Sequence, residues 1–507
     1  MTSSPSSVSL EEKSAHGPGL ESQPAIDPIA EQRLLRKLDW SLLPLFTLIY
    51  SLNFIDRTAI GNAKIAGLEK DLGMHGFDFN IALTAFYVFF VVSEIPSNLV
   101  LKRFGSISLA FMVVAFGVCT IGTAFIRSYS GLIATRVFLG IAEGGTLPGL
   151  SYLLSRYYRR SEFVLRMGIF LGISPCIAGA FGGLLASGLL SLNDIGSVTR
   201  WRKIFLVEGK HHSFFMIDEL CIKLLALGII TTAFGLICIF IIPTDPQYTK
   251  MLTPDERALA LARIDADQPA RTKGHKEKTT LRLILRAFNF NTCLCALAYL
   301  MINISFQGLS LFMPTVISGL GRFTVVQSQL RTVPPYMIGA VWALALCYMG
   351  FRLRKRAAII LLTVPLVVAG YGIAIGTRDV HARYAACFLM IVGAVPTAPL
   401  LVAWGTDNAA PDTVRAVTTA IIPGVGALGS VIAVWTYLPS DAPNYHIGNS
   451  LNLGLTSSIC VLIVIGLMYI RWENGKRERG ERDYRLLNKT EEIEQLGYLH
   501  PHFRYQT

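Results

Sequence analysis

The sequence predicts an all-α membrane protein with twelve transmembrane helices arranged in two six-helix lobes. Of its 507 residues, 52% are hydrophobic and only 16% are charged. A soluble protein of this size could not bury so much apolar surface. Twelve apolar segments each come close to the ~20 residues that cross a bilayer. A polar stretch, 243–285, separates the first six segments from the last six and predicts a linker between two similar lobes.

The segments define the domain boundaries. We expect a disordered tail at 1–37, a first lobe at 38–242, the linker at 243–285, a second lobe at 286–472 and a tail at 473–507, and no cleavable signal peptide. The twelve segments are 41–60, 80–101, 106–126, 131–154, 166–190, 224–242, 290–318, 335–350, 357–376, 382–404, 414–438 and 450–471.

The distribution of positive charge predicts the orientation and the setting. Basic residues precede the first segment, follow the last and fill the linker, and an even number of spans puts all three on one side. The positive-inside rule makes that side cytoplasmic. The net charge of +12 is spread between apolar blocks, which argues against a nucleic-acid partner. We expect a multi-pass protein of the plasma membrane, monomeric in the lipid bilayer.

Charged residues inside the segments are the first candidates for function, because a charge at membrane depth is costly. Asp56 and Arg57 lie in the first segment, and Arg136 and Glu143 lie in the fourth. A rise of ~1.5 Å per residue puts Arg136 level with Asp56 and puts Glu143 two turns deeper on the same helical face. The second lobe offers polar Asn303, Gln307 and Asn408 instead.

Two interpretations of these charges stay open at this point. Arginine recognises carboxylates with two hydrogen bonds and keeps its charge, while a partly desolvated carboxyl can carry a proton. The four residues would then form an anion site with proton-coupling groups. Alternatively, Asp56 with Arg57 and Arg136 with Glu143 would be ion pairs that fix the packing of the lobe. Glu94, nearer the inner half, is expected to belong to a structural network.

Several motifs together resemble the major facilitator superfamily and, more narrowly, its anion:cation symporter branch. Fungal allantoate permeases are the type they match best, over about residues 38–475. The motifs are 53–64 (NFIDRTAIGNAK), 94–98 (EIPSN), 136–145 (RVFLGIAEGG), 201–209 (WRKIFLVEG), 312–315 (FMPT) and 441–445 (DAPNY).

The resemblance implies the major facilitator fold and import of a small organic anion together with protons. Candidate anions are allantoate, ureidosuccinate, nicotinate, pantothenate or a related carboxylate. The implied proton-coupling residues are Glu143, which is the better candidate, and Asp56. The expected substrate-binding residues are Arg57, Arg136, Asn53, Gln307 and Asn408.

One stretch departs from the resemblance. The related transporters pass directly from the Glu-Gly after the fifth span into an apolar helix, whereas 210–228 intervenes here. Removing it joins Gly209 to Ile229 and restores one ordinary span. Gly209-Lys210 can be encoded GGTAAG and Leu227-Gly228 can be encoded TTAGG, so a retained intron is one interpretation and a genuine loop insertion is the other.

Other functional classes differ from a carboxylate importer in features that the sequence can show. A proton-linked exporter of a secondary metabolite would share the fold and would tolerate loss of the arginines. A nutrient sensor without transport would need a longer signalling tail. An ATP-driven pump lacks its GxxxxGK[ST] loop, and no nucleophile–base arrangement indicates an enzyme. No cofactor and no metal site are expected.

Overall fold

A computed structural model describes residues 27–191, 201–205, 227–266, 281–321, 323–487 and 496–507. Every regular element in these ranges is helical. The helices of the first lobe are α1 (Pro28–Ile65), α2 (Leu68–Asp71), α3 (Asp78–Phe104), α4 (Ile107–Ala124), α5 (Tyr129–Glu143), α6 (Thr146–Tyr157), α7 (Arg160–Ser191), α8 (Arg202–Phe205) and α9 (Leu227–Ile241).

The linker and the second lobe complete the chain. The linker contributes α10 (Pro254–Ala266) and α11 (Leu281–Arg286). The helices of the second lobe are α12 (Phe290–Leu320), α13 (Val325–Leu330), α14 (Val333–Leu353), α15 (Arg356–Gly376), α16 (Val380–Asp407), α17 (Asp412–Ala433) and α18 (His446–Glu478). Short 3₁₀ helices occupy Pro439–Asp441, Asp483–Leu487 and Gly497–Leu499.

The helices are long and apolar enough for the predicted membrane fold. Eleven segments meet the length and hydropathy needed to cross a bilayer, and a shorter apolar helix, Ile229–Ile241, occupies the sixth position. Two of the eleven are interrupted, since α5 continues into α6 and α13 into α14. The prediction of an all-α fold with twelve transmembrane helices is confirmed.

Polar side chains cap the N-termini of several of these helices. Asp27 accepts a hydrogen bond from the Ile29 amide at 2.9 Å, ahead of a proline at the first helical position of α1. Asn289 caps α12 and Asp379 caps α16 in the same way. Such caps satisfy amides that have no partner inside the helix.

The fourth span is broken between α5 and α6, at the point where it packs against α3, the second span. At Gly144, between α5 and α6, a side-chain Cβ would lie 2.1 Å from Ser93 Oγ and 2.4 Å from the Phe90 carbonyl oxygen, both on α3. Only glycine allows this approach of two backbones. The glycines that the sequence places in the fourth span therefore bring α5 against α3, next to Glu143.

Each hydrophobic core lies mainly in one lobe and reaches across the interface into the other. One cluster of buried side chains joins α1 to α9 and extends to Leu311 and Phe312 of α12, and a second joins α11 to α18 and extends to Cys176 and Ala180 of α7. The lobes meet along α1 and α12, α7 and α14, and α3 and α17. We call the side that carries the start of α1, the linker helix α10 and the tail the inner side, and the opposite side the outer side.

The linker helix is fixed to the first lobe on the inner side. Arg263 of α10 donates to Glu31 at 2.8 Å and to Glu162 at 2.6 Å, and Lys37 donates to Glu256 at 2.6 Å. The donation from Lys37 holds the pKa of Glu256 below its usual value. This helix therefore belongs with the first lobe.

Part of the predicted domain organisation falls outside the described residues. Residues 1–26 of the predicted tail 1–37 lie outside them, and from Pro28 onward that tail is helical because α1 begins there, so its predicted disorder is wrong over 28–37. The stretch 210–226 also lies outside them, so the suspected insert is described only from Leu227, where α9 begins. The retained intron and the genuine loop insertion both remain predictions for 210–228.

Candidate functional site

A cavity of about 80 Å³ lies between the two lobes and is lined by both. The first lobe contributes one cation to it, Arg57, and the second lobe contributes amide and hydroxyl groups. The lining residues are Tyr50, Phe54, Arg57, Phe90, Leu147, Leu171, Pro175, Tyr299, Ile302, Asn303, Phe306, Gln307, Ala394, Val395, Ala398, Pro423, Ala427 and Ser430. An apolar wall with a few polar groups is typical of a small-molecule site.

Arg57 is held at the wall of this cavity by polar groups of its own lobe. Its Nη2 atom lies 3.3 Å from Glu143 Oε2, and its Nε atom lies 3.4 Å from the same oxygen. Asn53, one turn earlier on α1, accepts a hydrogen bond from Nη2 at 3.0 Å. Only 6% of Arg57 is exposed.

Aromatic rings enclose the Arg57 guanidinium. Its central carbon lies 4.5 Å from the ring centroid of Phe90, 5.6 Å from that of Phe86 and 5.7 Å from that of Phe54. The rings attract the cation through their negative faces and exclude water from it. In such apolar surroundings an ion pair or hydrogen bond to the guanidinium is stronger than in water.

Glu143 joins the cavity to the interior of the first lobe. It is fully buried, and Oε1, the oxygen that does not face Arg57, has no hydrogen-bond partner among the described residues. The sequence suggested Arg136 as its partner in an ion pair, and in the structure Glu143 pairs with Arg57 instead. The reason is that α1 and the end of α5 face each other across the lobe, which spacing within one helix could not show.

Arg136 and Asp56 lie behind the cavity wall. Arg136 is 2% exposed, with its guanidinium 5.9 Å from the ring centroid of Phe205. Asp56 is fully buried beside Thr120 of α4 and Thr231 of α9. The structure therefore brings two arginines and two carboxyl groups into one buried cluster, of which Arg57 lines the cavity.

Polar groups of the second lobe face the cation across the cavity. Gln307 Nε2 donates to the Tyr87 hydroxyl at 2.8 Å, which links α12 to α3. Asn303 donates to Ser430 Oγ at 2.9 Å and to the Gly426 carbonyl on α17. Gln307, predicted from the sequence, lines the cavity, and Asn303 lines it too.

Asn408 is not brought to the cavity. It caps the inner end of α16, where its amide group exchanges two hydrogen bonds with the backbone of Gln506, one of 2.9 Å and one of 2.7 Å. Trp404 Nε1 also donates to the Gln506 carbonyl. Asn408 therefore contacts the tail, and its predicted contact with a substrate has no counterpart in this arrangement.

Sequence reasoning missed the aromatic residues of the site. Tyr50 and Tyr299 line the cavity from opposite lobes, and Tyr87 supplies the hydroxyl that contacts Gln307. The signal that could have found them is that a buried tyrosine hydroxyl usually needs a hydrogen-bond partner. Glu94 is half-buried and lies near both Tyr50 and Tyr299.

The outer end of the lobe interface is closed. Asn80 donates to the Val434 carbonyl oxygen, and Trp435 Nε1 donates to Thr84 Oγ1 at 3.0 Å. The rings of Phe79 and Phe312 meet edge to face at 6.0 Å. These contacts join α3 to α12 and to the end of α17, so the cavity has no direct opening on this side. Within the described ranges, no three His, Cys, Asp or Glu side chains could hold a metal ion.

Two lobes of apolar helices around a central cavity are typical of a secondary transporter. Comparison with known proteins gives the family: residues 46–210 match the Major Facilitator Superfamily. An uncharacterized transporter of Schizosaccharomyces pombe is 30% identical over 90% of this chain and 86% of its own length. The transporter cnsO of Penicillium expansum is 32% identical over 94% and 90%. The chain belongs to the Major Facilitator Superfamily and is a multi-pass membrane transporter, not an enzyme.

A solved structure supports the fold. A bacterial homologue of the human lysosomal transporter Spinster, in an inward-facing and unoccupied conformation, superposes with a TM-score of 0.58. It covers 87% of this chain, with 95% of its own chain matched, at 15% sequence identity.

Proposed function

We propose that this transporter imports a small organic anion, a carboxylate, together with protons by alternating access. The observation that carries the proposal is the ion pair of Arg57 with Glu143 at 3.3 Å, at the wall of the cavity between the lobes. One cation there can satisfy either an internal carboxylate or the carboxylate of a substrate.

The pair provides a way to couple the two ions. When Glu143 is ionised, it occupies the guanidinium of Arg57. When Glu143 takes up a proton, it no longer needs the cation, and Arg57 is free to bind a substrate carboxylate with two hydrogen bonds. Release of the proton would let Glu143 displace the substrate, so that proton and anion would enter and leave together.

The other polar groups have supporting roles in this proposal. Asn53 holds the Arg57 guanidinium in place through its side-chain oxygen. Gln307 and Asn303 offer amide groups from the opposite lobe to the polar end of a substrate. Arg136 and Asp56 lie buried behind the wall, and Asp56 is the second proton-coupling candidate.

The finer assignment follows from the resemblance of the sequence motifs. The anion:cation symporter branch carries these charged residues in its first and fourth spans, which fits the cluster of Arg57, Arg136, Asp56 and Glu143. We place the protein in the plasma membrane as a monomer, and allantoate, ureidosuccinate, nicotinate and pantothenate are the first substrates to test.

Uptake by a host that lacks its own permeases tests this proposal. Cells expressing the protein are given labelled allantoate, ureidosuccinate, nicotinate or pantothenate at several external pH values. We expect saturable import of at least one carboxylate that increases as the external pH falls. Arg57→Ala should abolish it, because a carboxylate in a dry cavity needs a charged partner.

A matched arginine controls for general damage. Arg331 also lies against an aromatic ring, 3.6 Å from the centroid of Phe323, but it does not line the cavity. Arg331→Ala should therefore retain import. Equal import by the natural protein and by Arg57→Ala would contradict the proposed site, and net efflux of the carboxylates would favour an exporter instead.

A further inference from the structure

A second cation lies at the outer end of α1, between aromatic rings of the two lobes. The Lys64 ammonium is 4.3 Å from the ring centroid of Phe79, on the first lobe, and 5.3 Å from that of Phe312, on the second. It also pairs with Glu69 at 3.2 Å. Only 11% of the Lys64 side chain is exposed, so the closed outer end almost covers it.

Lys64 and Arg57 lie on opposite sides of a tight seal. Seven residues separate them, which is two turns of the same helical face and about 10.5 Å along the axis. Between them, a Cβ at Gly61 would lie 2.2 Å from the Leu311 carbonyl oxygen of α12, so the two backbones touch there. Arg57 therefore belongs to the cavity, and Lys64 belongs to the outer mouth.

Opening of the outer end must uncover Lys64. Phe312 moves with the second lobe, whereas Phe79 and Glu69 stay with the first lobe, as Lys64 does. Lys64 then loses its contact with the Phe312 ring and keeps its ion pair with Glu69. The Glu69 side chain is itself 36% exposed to water. An ammonium exposed at the mouth of an apolar cleft attracts anions, because low-dielectric walls focus its field.

We propose that Lys64 is a transient binding site for the organic anion at the outer mouth, formed when the lobes part and removed when Phe312 returns. The inference rests on the proposed function, since it takes the transported solute to be a carboxylate. The anion would meet Lys64 first and then move two helical turns along the same face of α1 to Arg57. Once the anion has left Lys64, the renewed contact of the Phe312 ring with the ammonium would also favour closure of the outer end.

Kinetics measured from the two sides of the membrane test this site. The probe is labelled nicotinate, or whichever member of the carboxylate panel the natural protein imports. Lys64→Met should raise the external KM roughly threefold to tenfold, with little change in maximal rate, and should weaken the dependence of that KM on ionic strength. The KM for efflux from loaded vesicles should stay unchanged, because Lys64 is sealed from the cavity.

Two further variants keep the test specific. Lys70→Met removes an exposed lysine from α2 of the same outer loop and should leave both KM values unchanged. Lys64→Arg keeps the charge and should restore the external KM. Equal external KM values for Lys64→Met and Lys70→Met, or equal changes on both sides, would overturn the proposal.

The outcome also separates this proposal from the one on which it depends. Carboxylate import that needs Arg57 and ignores Lys64 would remove only the outer site. Absence of carboxylate import by the natural protein would remove the proposed function, and the outer site with it.

Discussion

The contact between Gly61 and Leu311 gives the sharpest test of how the outer end closes. Gly61→Ala places a methyl group where the Leu311 carbonyl oxygen is 2.2 Å away, whereas an ordinary contact needs 3.4 Å or more. The helices α1 and α12 would have to separate by about 1 Å for the methyl group to fit. Because the obstacle is backbone, no side-chain rotation can relieve it.

The expected size of the effect follows from overpacking. Inserting a methyl group into a tightly packed contact costs about 1–3 kcal/mol. The cost falls on the state in which the outer end is closed, because the two helices part there when it opens. The ratio of closed to open molecules should therefore fall by roughly 5- to 150-fold.

Distances between spin labels at the outer end measure that ratio. Lys70 and Ser440 are exposed on opposite lobes, and unnatural amino-acid labels there leave the native cysteines untouched. Gly61→Ala should move the distance distribution to longer values and slow transport. Gly122→Ala, whose added Cβ meets nothing within 4 Å, should change neither. Identical distributions for the two variants would refute the seal at Gly61.

Two further predictions concern the buried cluster and the tail. Asp56→Asn replaces a buried carboxyl group that forms no ion pair within the described ranges, so we expect the free energy of unfolding to change by no more than about 1 kcal/mol, measured as Tm in detergent, with the exposed Asp255→Asn as control. A loss of about 3–5 kcal/mol, which is the cost of removing one partner of a buried ion pair, would contradict this arrangement. Asn408→Ala removes the hydrogen bonds to Gln506, at a cost of about 1–3 kcal/mol, and should expose the tail to proteolysis while leaving the uptake KM unchanged. A raised KM with an intact tail would instead return Asn408 to the substrate site.

The fold could be predicted from the sequence because apolar segments long enough to cross a bilayer recur along the whole chain. A hydrophobic run of about 20 residues is a requirement of the bilayer, so helix number and lobe division follow from the pattern. The charged residues of the site were predicted for the same reason, since few side chains carry charge at membrane depth. Arg57 and Glu143 accordingly meet at the cavity.

The pairing of those residues could not be predicted. Spacing along α5 places Arg136 and Glu143 on one face of a helix, but the approach of α1 decides that Glu143 contacts Arg57. Asn408 illustrates the same limit, because its partner Gln506 lies 98 residues away in sequence. The role proposed for Lys64 depends on rings from α3 and α12 that only the packing of the lobes brings to it.

Exchange of the proton and the anion at the Arg57–Glu143 pair is the central claim, and purified protein in vesicles tests it most directly. Glu143→Gln keeps the shape of the side chain and fixes its neutral state, so Arg57 stays available to the substrate. The account predicts that this variant exchanges labelled for unlabelled carboxylate across the membrane, yet neither accumulates it along an inward proton gradient nor moves protons with it. Full proton-driven accumulation by Glu143→Gln would contradict the claim.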